Sequence, residues 1–562
     1  MRRRAASLGL PLLGYLGISF LYFGRPIVSH PGRYLIGYAR DPQIFVWSFA
    51  WYLHAVETWQ NPFVSHAIYA PGGVNLAWTT TVPGLAFALS PLTALFGPVV
   101  SYNTASVLVP ALAAFTMYLL CRYLTRSTWA SLVGGYLFGF SSYMLGEEQG
   151  HMHMTAVFLL PLIALATLRY ARGELAGRGF AWRLGVLFGL QFWLSTEVLV
   201  TASIALAAGL VLAFVVAPAT RPALRHIAAP LVAAIGIAIL VALPLAVYAV
   251  TGFQSQSINK PTDFGGDLAN FVVPIRFIWA GGDLFPDLEA HFRGGQAESG
   301  AYLGIPVLVI LVLFGRRARR SAGARFLVAA ILLAALLTLG TGLAIRSHIY
   351  AWLPWRAVAG LPILNNVLPA RFSIYMTLAA AATVALWTAA RRDWLRYALP
   401  SLAVAALIPN LARADYRNHP ERWAFFTANT YKVCFAKGEN VAIFPFGAWD
   451  DSTLWQAETG FWFRMPEGYL APRPPSASYR DPLIHMLTDT SRQPTPDQII
   501  GMARRQHVDR ILSVDIYVHP NATQMHRFGP VQESGGVLIS PACGYPSMQK
   551  DIHPTPAHPG GR

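Results

Sequence analysis

Long apolar runs divided by short arginine-bearing breaks set the rhythm of the first 411 residues. They fall at residues 8–23, 104–120, 130–145, 152–168, 184–216, 226–250, 301–314, 326–343, 372–390 and 397–411. A helix needs roughly 17–25 mainly apolar residues to cross a ~30 Å hydrocarbon core. The 184–216 run is too long for one crossing and is basic on both flanks, so it should go out and return near "STE" at residues 195–197. This pattern predicts a polytopic α-helical membrane protein of about eleven spans. Residues 82–97, "VPGLAFALSPLTALFG", are apolar but have no basic partner, and read as a half-inserted or re-entrant helix. An ordinary span is the alternative.

Residues 38–59, "YARDPQIFVWSFAWYLHAVETW", are apolar and aromatic but carry His54 and Glu57, and are too interrupted to span. A helix lying along the membrane is expected, with Phe45, Trp47, Phe49, Trp51 and Trp59 in the headgroup layer. The Asp-Pro start is a helix-initiation signal, with Asp41 as cap and Pro42 at the first helical position. A carboxylate held at the membrane–water boundary is the functional reading of the same aspartate.

From residue 412 the apolar runs stop and prolines rise. "NVAIFPF" (440–446) and "VDRILSV" (508–514) read as buried strands, and "TPDQIIGMARRQ" (495–506) as a helix with a threonine cap and a proline start. A small C-terminal α/β domain over residues 412–562 is predicted, with a disordered tail after residue 549. The aromatic stretch 454–469 suits either stacking on sugar rings or packing on the membrane half.

Composition agrees: 54% of residues are hydrophobic and 12% charged, against roughly 25% charged in soluble domains. The net charge of +16 would suit a nucleic-acid binder, but the arginines sit in short loops between apolar runs, as the positive-inside rule expects. No nucleic-acid partner is therefore predicted. The arginines at 2–4, 122–126, 169–183, 221–225, 316–325 and 391–396 mark the cytoplasmic side. The N-terminus then lies in the cytoplasm, the first run is a retained signal anchor, and residues 24–103, 146–154, 251–300, 346–371 and 412 onward lie outside. Most acidic and histidine residues of the membrane half collect there, which points to a working face outside the cytoplasm. In that oxidising setting Cys434 and Cys543 can pair, while Cys121, inside an apolar run, reads as a packing residue.

This layout resembles the GT-C superfamily of integral-membrane glycosyltransferases. Asp41 in "YARDPQIF" matches the acidic residue of the first outer loop, and "SSYMLGEEQGHMHM" (141–154) falls where a second polar site is expected. "YAPGGVNL" (69–76) and "NNVLPARF" (365–372) resemble segments of bacterial members. The paired acidic motif of that superfamily is reduced here to Asp41 alone. The resemblance implies a bacterial cytoplasmic-membrane enzyme moving a sugar from a polyprenyl-phosphate carrier to an envelope glycan, lipid or protein, with inversion. No P-loop or dinucleotide fingerprint competes with a lipid-borne donor.

Under that reading Asp41 is the general base. Arg371, in "PARF", is assigned to the leaving phosphate because a guanidinium fork fits phosphate oxygens, with Arg40 and Lys260 in reserve. Glu147 and His151 stand four apart and Glu148 and His151 three apart, so either pair shares a face on a helix. In an extended segment His151 and His153 point together. These residues and Glu197, costly in an apolar stretch unless paired or used, are assigned to substrate binding. No cofactor is expected, a divalent metal on the carboxylate and imidazole donors being the alternative. Asp263, Asp267, Asp283 and Asp287 in the glycine-rich, lid-like loop 251–300 read as turn residues. A transporter or flippase, or an inactive scaffold, are the competing functions; no internal repeat supports the former.

Overall fold

The computed structural model describes residues 2–252, 261–317, 319–414, 416–471, 474–489, 493–514 and 520–548. Lys260 and the tail after residue 549 lie outside the described residues. Six helices among them are long and apolar enough to cross a membrane: Pro98–Thr125, Met152–Ala171, Thr196–Val216, Ala228–Thr251, Ala322–Leu339 and Pro369–Ala390. The chain is a multi-pass membrane protein.

The expected count of about eleven is not reached by long helices, and local chemistry explains where it falls short. The 130–145 run is cut where helix Thr128–Gly139 ends and Ser141 caps a new short helix, Ser142–Glu147, by accepting a hydrogen bond from the Met144 N–H. The 397–411 run forms only Leu395–Ala405, about 16 Å of helix. The 82–97 segment folds as Pro83–Ala88 and Ser90–Phe96, each far short of ~30 Å. The 184–216 run divides at Ser195 into Gly177–Leu194 and Thr196–Val216, and the Ser195 side chain caps the second helix.

Helix Pro98–Thr125 is the hub, packed against Arg2–Ser19, Thr128–Gly139 and Ser373–Ala390. Small residues bring these backbones together. A Cβ at Gly139 would lie 2.5 Å from the Ala114 Cβ, so only glycine fits that crossing.

Helix Asp41–Glu57 departs from expectation. Phe45, Trp47 and Phe49 are fully buried and Trp51 nearly so, while Trp59 alone is open, at 96% exposure. They face protein instead of headgroups. Helix Ser452–Glu458 lies across them, and the Trp47 indole donates to Gln456 Oε1 at 2.8 Å. The partner is some 400 residues away in sequence, so periodicity could reveal that this face is apolar but not what covers it. One apolar cluster accordingly runs from the membrane helices through Trp47 into Phe426, Trp455 and Phe463.

The C-terminal residues also hold a four-stranded sheet in the order Val441–Phe444, Arg510–Ser513, Val537–Ser540, Gln532–Ser534. The first pair is parallel and the others antiparallel. Helix Pro496–Arg505 starts with a capping box formed by Thr495 and Gln498. A Cys434–Cys543 disulfide closes this region, and Cys121 is free and buried.

Candidate active site

Asp41 opens its helix without capping it. The helix begins at Asp41 behind Arg40, and no side chain caps the exposed N–H groups, so the capping reading is corrected. Its carboxylate turns elsewhere. Oδ1 accepts from the Tyr469 hydroxyl at 2.6 Å, and Oδ2 lies 3.3 Å from His151 Nε2. The close approach depends on Gly150, whose φ is +152° and where a Cβ would stand 2.8 Å from the Asp41 Cβ. A backbone bond from Tyr38 N–H to the Gln149 carbonyl, 2.6 Å, pins the two segments together.

From His151 a line of charged groups runs inward. Its Nδ1 lies 2.7 Å from Glu147 Oε2, four residues back across the turn that follows helix Ser142–Glu147; of the two Glu–His pairs the sequence left open, this one forms. Glu147 Oε1 is 3.9 Å from Arg371 Nε. The Arg371 guanidinium is buried and bonded to both oxygens of Glu298, at 3.0 Å from Nε, and to Glu197 through Nη1. Glu197 also accepts from the Leu368 N–H at 3.4 Å. Arg371 therefore does not present the open fork that the sequence reading gave it, because its nitrogens face carboxylates. Arg40 is turned toward Asp451, at 3.5 Å.

Burial raises the Asp41 carboxyl, but hydrogen bonds from His151 and Tyr469 outweigh it and hold the group below its usual value. Burial pulls the His151 imidazole down, while Asp41 and Glu147 carry it up to about 10, so it is an imidazolium at neutral pH. Burial, with Glu298 nearby, pushes Glu147 to about 7, and burial raises Glu148 well above its usual value. The Tyr469 phenol is pushed up by burial and by the Asp41 charge, so it stays a donor.

Four buried polar atoms within one short stretch have no hydrogen-bond partner: Glu147 Oε1, Glu148 Oε1, Gln149 Nε2 and His153 Nδ1. His153 stacks on Phe45, ring centroids 5.8 Å apart. Such orphans are rare in buried protein and mark places where a ligand or water belongs. Beyond Tyr469, a cleft of about 80 Å³ is lined by Tyr69, Trp449 and Glu467 among others.

Glu147, His151 and Glu298 place ligand atoms within 4.8 Å of one another and are the residues that could hold a metal. Their engagement does not fit one. Both Glu298 oxygens are on Arg371, and both His151 nitrogens face carboxylates. A divalent ion would have to displace a guanidinium and strip a proton; the chain fills the position with its own cation.

The sequence reading missed Glu298 and Tyr469. Glu298 sits in a glycine-rich loop where acidic residues are ordinary. Its only signal was its position three residues before an apolar run. Tyr469 closes the aromatic stretch 454–469, but nothing in that stretch linked it to Asp41. Asp267 and Asp283 are turn and strut residues, accepting from Ala269 N–H and from Asn410 Nδ2.

No curated protein matches the chain in sequence. Solved structures do match in shape. The archaeal oligosaccharyltransferase AglB from Archaeoglobus fulgidus, in complex with an inhibitory peptide and a dolichol-phosphate, is 14% identical over 92% of this chain and 70% of its own, with a TM-score of 0.50. The arabinofuranosyltransferase AftD from Mycobacteria is 14% identical over 95% of this chain and 40% of its own, with a TM-score of 0.55, so this chain spans less than half of AftD. Both neighbours are GT-C superfamily proteins, and this chain has that fold. Its residues 12–408 match the family described as Domain of unknown function (DUF6311), and the chain belongs to that family.

Proposed function

We propose that this protein is a membrane glycosyltransferase that moves a sugar from a polyprenyl-phosphate carrier to an envelope glycan, lipid or protein on the extracytoplasmic face. The observation that carries the reading is Asp41: it is free of capping duty, held ionised by Tyr469 and His151, and still about a third exposed at 32%. Such a carboxylate can accept the proton of an attacking hydroxyl as that oxygen bonds to the anomeric carbon and the carrier phosphate leaves. The dolichol-phosphate held by the AglB structure supports the class of donor. The outer location and the cytoplasmic N-terminus are supported by the arginine distribution.

The roles of the other residues follow from their contacts. The His151 imidazolium, with one nitrogen on Asp41 and the other on Glu147, is a positioning residue that orients the base. Arg371 is a positioning residue that gathers Glu147, Glu197 and Glu298. The unpartnered atoms of Glu148 and His153 await hydroxyls of the bound sugar. The C-terminal residues border the acceptor side, since the cleft beyond Tyr469 has aromatic walls on which sugar rings can stack. No metal takes part in this scheme.

The test is transfer from a polyprenyl-phosphate sugar by purified protein in vesicles. Asp41→Asn should lower the rate about 10²–10⁴-fold, the usual worth of a general base, without a change in melting temperature. Full activity of Asp41→Asn would refute the role. Passage of the lipid-linked sugar across the vesicle with no covalent product would refute the transferase.

A further inference from the structure

A second cavity lies apart from the Asp41 site, beside the C-terminal end of helix Pro98–Thr125. It measures about 670 Å³ and is walled by Leu10, Gly14 and Ile18 of the first helix with Leu132, Val133 and Val404. Tyr15 and Tyr136 line it but are engaged, with Leu132 O and Tyr22 respectively. Helix Arg2–Ser19 runs against Pro98–Thr125, with the Ser19 hydroxyl on Val107 O at 2.6 Å. This places Leu10 near Arg122, three residues before the end of the longer helix.

Arg122 lines this groove, and its Nη1 is buried without any hydrogen-bond partner. Trp129, on the same wall, donates its indole N–H to Arg396 O at 3.0 Å, while the Arg396 guanidinium lies over the Tyr397 ring, 5.0 Å from its centroid, and is not among the groove's walls. A guanidinium donor withdrawn from water and left unpaired is costly. Arg122 puts one such donor at the mouth of an apolar groove. An alkyl chain fits the walls, and a phosphate fits the arginine.

We propose that this groove binds an anionic phospholipid of the surrounding leaflet, its phosphate on Arg122 and one acyl chain along the first helix. The site is separate from the sugar-transfer centre and does not rest on the transferase reading. Charge complementarity selects the occupant: a zwitterionic lipid brings a quaternary ammonium toward the same arginine, whereas phosphatidylglycerol brings none.

Native mass spectrometry of the full chain, titrated with phosphatidylglycerol or phosphatidylcholine of identical chains, tests this. One phosphatidylglycerol should bind at least about tenfold more tightly than phosphatidylcholine. Arg122→Gln should remove that preference. Gly14→Leu should weaken both lipids by filling the groove, where nothing stands within 4 Å of a Cβ at residue 14. That substitution sits in open space, so it keeps the test alive if Arg122→Gln does not fold. Equal affinity for the two lipids, or phosphatidylglycerol binding unmoved by Gly14→Leu, would overturn the proposal. So would binding of a polyprenyl monophosphate with no binding of phosphatidylglycerol.

Discussion

Arg371 offers the sharpest test of how the buried charges are held. Replacing it with methionine keeps much of the volume but strands Glu147, Glu197 and Glu298 around an uncharged side chain. The guanidinium is only 7% exposed and bonds both oxygens of Glu298 at 3.0 Å, so water cannot take its place cheaply. Removing one partner of a buried ion pair costs about 3–5 kcal/mol. At the lower end of the usual scale for large domains, ~2 °C per kcal/mol, melting should fall by several degrees at pH 8. Adding Glu298→Gln removes one stranded carboxylate, so the double variant should recover part of the loss, with a coupling of about 1 kcal/mol or more. The pH dependence has a definite sign. Stranded carboxylates bind protons more readily in the folded variant than in its unfolded chain, so stability should rise as pH falls from 8 toward 5.5. Melting in lipid nanodiscs by intrinsic fluorescence reads all three effects. If Arg371→Met melts with the wild type at pH 8, or its deficit ignores pH, the guanidinium is not what neutralises this cluster.

Tyr469→Phe removes a 2.6 Å donor from Asp41. Because that bond helps hold the carboxyl below its usual value, the acid limb of the kcat/KM profile should move to higher pH, and an unmoved limb would separate Tyr469 from the base. Cys434→Ser opens a link between residues 109 apart, and should cost about 2–5 kcal/mol of stability, read as a lowered melting point that reductant reproduces in the wild type but not in the variant. Chelation with EDTA should leave sugar transfer unchanged, since Arg371 and His151 already engage the donors that a divalent ion would need; loss of activity restored by a metal would show the cluster rearranges around an ion.

Part of the site was legible because charge is rare in an apolar chain. Glu197 stood out for the cost of burying it, and Asp41, Glu147, His151 and Arg371 for their place on the outer side of apolar runs; all five meet in one connected line. The spacing left Glu147 and Glu148 both open as partners of His151, and the structure chose Glu147. Glu298 was not legible, since it comes from a polar loop where acidic residues are common, and Tyr469 stood in the flagged aromatic stretch 454–469 with nothing to tie it to Asp41. Arg371 was found but misread for a related reason: a sequence shows that a cation is present, and only its neighbours show whether it is free.

The sequence by itself determined that the chain is a multi-pass membrane protein, because hydrocarbon demands long apolar helices whatever their arrangement. It also determined the break at Ser195, the strands near residues 441 and 510, and the capped helix after Thr495, each governed by bonds within a few residues, whereas the break at Ser141 showed only in the structure. Only the tertiary structure decided that the aromatic face of Asp41–Glu57 is covered by protein, that Asp41 answers to Tyr469, and that three carboxylates close on Arg371. These contacts join segments from 70 to more than 400 residues apart. Their energy comes from desolvation and Coulomb attraction between groups that local patterns cannot bring together, so it exists only once the chain has folded.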